Sequence, residues 1–164
     1  MAESLNLTKS KDRISTYEAL LPQLDGVLSG ETDLIANLAN TTAALKQAFD
    51  FLWIGFYLVK GNELVLGPFQ GPLACTRIAF HRGVCGHAYT TQKPIVVANV
   101  NEFPGHIACS SLAQSEVVIP IFSKNKKVVG VLDVDSIHLN DFSEVDVVEL
   151  EKVVRLLERL HFRA

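Results

Sequence analysis

A chain of 164 residues has the length of one domain, and 48% hydrophobic against 20% charged residues supply a core without disulfide staples. Its net charge of −3 gives no electrostatic reason for a nucleic-acid or anionic-membrane partner. The longest apolar run, 51–59, is far short of the roughly 20 residues that span a bilayer. Residues 1–8 lack the charged start and apolar stretch of a signal peptide, so a soluble cytoplasmic protein is expected. Thiols stay reduced in that compartment, and an odd set of three cysteines (Cys75, Cys85 and Cys109) fits poorly with a structural disulfide framework.

In chain order, the spacing of Ile14, Tyr17, Leu21 and Leu24 predicts a helix over 11–28, with Ser10 as N-cap and a break or kink at Pro22. A second helix is predicted over 32–48, with Ile35, Leu38, Leu45 and Phe49 on one face. The period then changes: 51–59 and 63–69 read as strands around a Gly61-Asn62 turn, a hairpin. A third strand over 75–80, a short helix over 84–91 opened by Gly83, and a short strand over 95–98 follow. Residues 99–115, with Pro104-Gly105 at their centre, read as a loop of a length that is usually functional. Strands over 116–122 and 127–135 make a second hairpin. An amphipathic helix over 142–162 closes the chain, capped by Ser143 and Asp146 and stapled by Phe142 against Val147. No repeat or linker interrupts this order. It implies an α+β fold, a mostly antiparallel sheet with N-terminal and C-terminal helices packed on it.

Three groups of residues could carry chemistry. Side chains alternate along a strand, so Val131, Asp133 and Asp135 share a face. If that face is sheltered, one acid of the pair has a raised pKa and can donate a proton, while an ionised neighbour holds a cation. The commoner reading is a strand end emerging into solvent, and Glu116, opening its own strand, has the same two readings. Trp53, Gly55 and Tyr57 also share a face. Glycine between two rings would leave a hollow for a small apolar or sulfur group, although ordinary core packing is the simpler reading. Among the thiols, Cys109 stands apart because it follows Pro104-Gly105 in the polar loop segment 108–111, where a thiol is accessible as a nucleophile. No Cys-x-x-Cys is present. His81, His87 and His106 lie near the cysteines, but not at the paired spacings of a structural zinc site, so no metal is expected. Phosphate-binding glycine motifs are absent as well.

Taken in order, Trp53-Ile-Gly-Phe-Tyr57, Gly67-Pro-Phe-Gln-Gly71, Gly83-Val-Cys-Gly86, His106-Ile-Ala-Cys109 and Gly130-Val-Leu-Asp-Val-Asp-Ser136 resemble the free methionine-(R)-sulfoxide reductases, single GAF-domain proteins. The resemblance covers about 15–160 and implies that 1–164 is one GAF domain. It implies that Cys109 attacks the sulfoxide sulfur and becomes a sulfenic acid, and that Cys75 or Cys85, with Cys75 favoured, resolves it as a disulfide. Glu116, Asp133 and Asp135 would bind the polar end of free methionine sulfoxide and assist departure of oxygen, with Trp53 and Tyr57 as walls around its methyl group. No bound cofactor is implied. Thioredoxin, fed by NADPH, would be the external reductant, and GAF domains often pair as homodimers through their terminal helices. The competing reading is a non-catalytic GAF sensor of a small ligand, disfavoured because 164 residues leave no output module and three matching cysteines would be surplus.

Overall fold

The computed structural model describes residues 4–7, 12–107 and 109–162. Ser10 lies outside them, and the first helix, α1 (Arg13–Ser29), is capped instead by Asp12, whose carboxylate accepts from the N–H groups of Ile14 and Ser15. Pro22 does not break it. Pro22 and Glu18, four residues earlier, both sit on the exposed side, so the carbonyl that the missing N–H leaves over faces water. The buried stripe is Tyr17, Leu20, Leu24 and Leu28, all fully covered, whereas Ile14 is 43% exposed. Helix α2 (Leu34–Ala48) starts later than its apolar pattern indicates because Asp33 caps it, accepting from Ala36 N–H at 2.9 Å. Leu38, Leu45 and Phe49 are buried as expected, and Ile35 is exposed.

Six strands follow: β1 (Trp53–Lys60), β2 (Glu63–Gln70), β3 (Arg77–Ala79), β4 (Ile95–Val97), β5 (Ser115–Phe122) and β6 (Val128–Ser136), with helix α3 (Gly83–Thr91) between β3 and β4. Their order in the sheet is β3-β2-β1-β6-β5-β4, and every neighbouring pair is antiparallel. Pro120 is tolerated inside β5 because β4 pairs only with 116–118, so the missing N–H falls where the strand is an edge. Helix α4 (Glu144–Leu157) opens as expected. The Ser143 N–H donates to the Asp146 carboxylate at 2.8 Å, and Phe142 is buried. The α-helix ends at Leu157 and widens into a π-helical turn, Glu158–Phe162, tied to the end of β5. Glu158 accepts from Phe122 N–H, and Phe162 C=O accepts from Lys124 N–H, both at 2.8 Å.

The sheet separates two cores. On one face Ile54, Phe56, Val117, Ile119, Ile121, Leu132 and Val134 pack against α1, α2 and α4. On the other, Trp53, Tyr57, Val118 and Val131 pack under α3 and the segment before β5, with Val84, Cys85 and Ala88 above them. This second face carries the acids. No helix among the described residues is long and apolar enough to cross a membrane.

Candidate active site

Register brings the acids together. Asp135 of β6 lies between Trp53 of β1 and Glu116 of β5, and Asp133 lies between Gly55 and Val118. Directly opposed residues interact closely and diagonal ones remain within reach, so Glu116 faces Asp135 and lies diagonal to Asp133. The solvent reading of this face is overturned: Glu116 is 6% and Asp133 7% exposed, beneath α3 and His106, Ile107, Cys109 and Ser110. Alternation along a strand says which residues share a face, not which face is covered.

Burial in each case is the largest cause of a shifted acid. It pushes Glu116 well above the ordinary carboxylate range, and the charges of Asp133 and Asp135 push it further. Asp135 is also held high, first by burial and then by Asp133. Asp133 is raised by burial to about 6, although the Cys85 thiol and the Glu116 carboxyl, bonded to it, pull it down. The three interact closely enough to titrate as one cluster, ionising stepwise. His106 Nε2 lies 3.9 Å from Glu116 Oε2, but burial lowers the His106 pKa while raising that of Glu116, and both shifts work against an ion pair here.

A carboxyl raised on folding binds more protons in the folded state, so its contribution is fully present below pH 3.8 and is lost as the pH rises through about 6. Asp133→Asn is therefore expected to melt several degrees above the parent protein at about pH 8, with the difference shrinking towards about pH 4. Thermal unfolding at the two pH values checks this.

The aromatic wall is built differently from the sequence expectation. The space above Gly55 is filled by the indole of Trp53, whose ring atoms would lie 2.2 Å from a Cβ placed there, with Phe69 Cβ at 2.5 Å. Glycine thus lets the indole lie flat on the sheet, stacked between Phe69 (5.3 Å between centroids) and Tyr57 (5.9 Å). The pocket lies beside these rings and not over the glycine. Phe69 was legible in principle, since it pairs across the hairpin with Gly55. Trp53 Nε1–H donates to Pro72 C=O at 3.1 Å, and Tyr57 O–H to Cys75 C=O at 2.9 Å. The wall residues thereby hold the strand-free segment carrying Cys75 over the pocket. The expected strand over 75–80 is shorter, 77–79, which leaves Cys75 outside the ladder.

Cys75 and Cys109 form a disulfide with Cα atoms 5.5 Å apart, closing a 34-residue separation across the pocket. Both cysteines are half-buried. On the far side, Gly83 N–H donates to Gly105 C=O at 3.2 Å, and Ile107 packs on Gly83, whose φ of +62° favours glycine. These contacts seat the loop on the start of α3. Cys85, in the first turn of α3, is a free thiol 3% exposed, hydrogen-bonded to Asp133, and burial followed by the Asp133 and Glu116 charges pushes its pKa well up. The cavity enclosed by Trp53, Tyr57, Cys85, Cys109 and the three acids has a volume of about 40 Å³. His106 also lines it. The sequence signal for it was its place three residues before Cys109, on the same loop.

A GAF-domain model matches residues 30–159. The chain is 55% identical over 159 residues to GAF domain-containing protein A of Dictyostelium discoideum, covering 96% of this chain and 99% of that one. It is 42% identical to the free methionine-R-sulfoxide reductase of Escherichia coli, covering 88% of this chain and 87% of that one. A solved structure of free methionine-R-sulfoxide reductase from Neisseria meningitidis, in complex with its substrate, superposes with a TM-score of 0.94 at 50% identity, covering 97% of this chain and 95% of that one. The chain belongs to the free methionine-R-sulfoxide reductases, oxidoreductases built on a GAF domain.

Proposed function

We propose that the protein reduces free L-methionine-(R)-sulfoxide to methionine, with Cys109 as nucleophile, Cys75 as resolving thiol and thioredoxin as reductant. The observation that carries this reading is the Cys75–Cys109 disulfide closing over a pocket lined by three acids, Glu116 and Asp133 buried and Asp135 half-buried. The Cys109 thiolate attacks the sulfoxide sulfur, and the oxygen takes a proton from a neutral carboxyl. The substrate S–O bond then breaks as the protonated oxygen passes to Cys109 Sγ, the transient bond between the two sulfurs breaks with it, and methionine leaves with Cys109 as a sulfenic acid, so two electrons pass from the thiol to the substrate. Cys75 then attacks Cys109 Sγ, forming the disulfide and releasing water. A thioredoxin dithiol exchanges with that disulfide and restores both thiols.

Glu116 and Asp135, whose protonated forms burial favours, suit the acid role. Asp133, the acid that ionises more readily, suits an ammonium group. A residue inside a peptide has an amide in place of that ammonium, so peptide-bound methionine sulfoxide would meet an unpaired buried carboxylate. The flat Trp53 and Tyr57 rings suit a methyl on sulfur.

The test is NADPH oxidation coupled through thioredoxin reductase and thioredoxin, with free L-methionine-(R)-sulfoxide, its S epimer and the N-acetylated R-sulfoxide offered separately. Turnover of the free R epimer alone is expected. Equal turnover of the N-acetylated compound would remove the ammonium site, and no turnover of any, with thioredoxin active, would remove the reaction.

A further inference from the structure

We propose that Cys85 Sγ and one oxygen each of Glu116 and Asp133 form a binding site for a thiophilic divalent cation, zinc above all. The three donor atoms lie within 4.8 Å of one another. Zinc bonds of about 2.3 Å to sulfur and about 2.1 Å to oxygen set tetrahedral ligand atoms about 3.5 Å apart, so the trio needs only a small contraction. The donors come from three rigid elements, α3, β5 and β6. A second observation points the same way. Asp133 is 7% exposed, and its Oδ1 has no hydrogen-bond partner among the described residues. An orphaned buried carboxylate oxygen is costly, and a cation is the partner that relieves it. Among the described residues no lysine or arginine lines the cavity to play that part.

The donor set also selects the ion. One thiolate with two carboxylate oxygens suits zinc, cadmium or cobalt, whereas magnesium and calcium demand six or more oxygens. The adjoining cavity, about 40 Å³, has room for a water to complete four ligands. The site differs from the paired Cys/His zinc pattern that the spacings disfavour, because its ligands meet only through the sheet register and the packing of α3. Metal binding does not depend on the proposed reaction. Its consequence does: the ion would occupy the acids assigned to the ammonium group, making zinc an exclusive inhibitor.

The experiment uses the full chain with the Cys75–Cys109 disulfide formed, which leaves Cys85 as the one thiol able to ligate. Cobalt(II) alone is added and the near-ultraviolet thiolate-to-cobalt charge-transfer band followed, with zinc titrated calorimetrically in excess magnesium. The expected result is a saturable band at one ion per chain, displaced by zinc and indifferent to magnesium. Cys85→Ser removes the band, and Glu116→Gln and Asp133→Asn each weaken zinc binding by at least about tenfold, the floor set by losing even an outer-shell partner. Circular dichroism confirms that each variant is folded, and the acid variants keep the proposal testable if Cys85→Ser is not. Absence of a band, a band that persists in Cys85→Ser, or affinity unchanged in both acid variants would overturn the site. These readouts contain no substrate, so they fail or succeed independently of the reductase assay.

Discussion

Cys109→Ser is expected to reduce turnover of free L-methionine-(R)-sulfoxide by roughly a thousandfold or more, as loss of a covalent nucleophile does elsewhere. A serine hydroxyl is not ionised near neutral pH and cannot be oxidised to a sulfenic acid, so neither the attack nor the oxygen acceptor survives the substitution. The effect should fall on chemistry and not on folding. Cys109 is half-buried at the pocket edge, and the serine variant loses one disulfide but no core side chain. Steady-state kinetics with the thioredoxin-coupled assay, together with the thermal melt of the reduced proteins, separates the two. Wild-type turnover in the variant would remove Cys109 from the mechanism.

Cys75→Ser has a different signature. The first methionine should be released at an undiminished rate, because Cys75 takes no part in attack on the sulfoxide. Continued turnover should then fall by about a hundredfold, since resolution has lost its partner. A sulfenic acid on Cys109, trapped with a dicarbonyl reagent in the variant and much less in the parent, marks the stalled state. Cys85 is poorly placed to take over: it is 3% exposed, its thiol is held in the neutral form by burial, and it is bonded to Asp133. Unchanged multiple turnover in Cys75→Ser would transfer the resolving role to Cys85.

Much of the fold is legible in the sequence. Gly61-Asn62 set the first hairpin, the β-branched run of 116–122 and its partner set the second, and Ser143 with Asp146 marked the last helix. What failed locally failed through phase and capping. Ile14 and Ile35 fit the apolar period of their helices yet point to solvent, while Leu20 and Leu28 complete the real stripe. Asp12 and Asp33 reset both helix starts.

The site was legible as a set of residues and not as an arrangement. Alternation puts Asp133 and Asp135 on one face, but α3 and His106, Ile107, Cys109 and Ser110 decide that this face is covered, and those contacts are distant in sequence. The hollow read over Gly55 is filled by the indole two residues before it, because a side chain on a strand can lean along its own face. Nor could spacing choose between Cys75 and Cys85 as the partner of Cys109. The choice is made by the Tyr57 hydroxyl, which holds the Cys75 carbonyl over the pocket, and by α3, which turns Cys85 down towards Asp133.

In the proposed reaction Cys109 loses electrons to a sulfoxide and recovers them from Cys75. The most direct measurement adds one equivalent of free L-methionine-(R)-sulfoxide to fully reduced protein with no other reductant. Released methionine is counted, free thiols are alkylated, and peptide masses locate the linkage. The expected result is one methionine per chain, Cys75 linked to Cys109, and Cys85 alkylated. Methionine without a linkage to Cys109, a linkage to Cys85, or no methionine at all would contradict it.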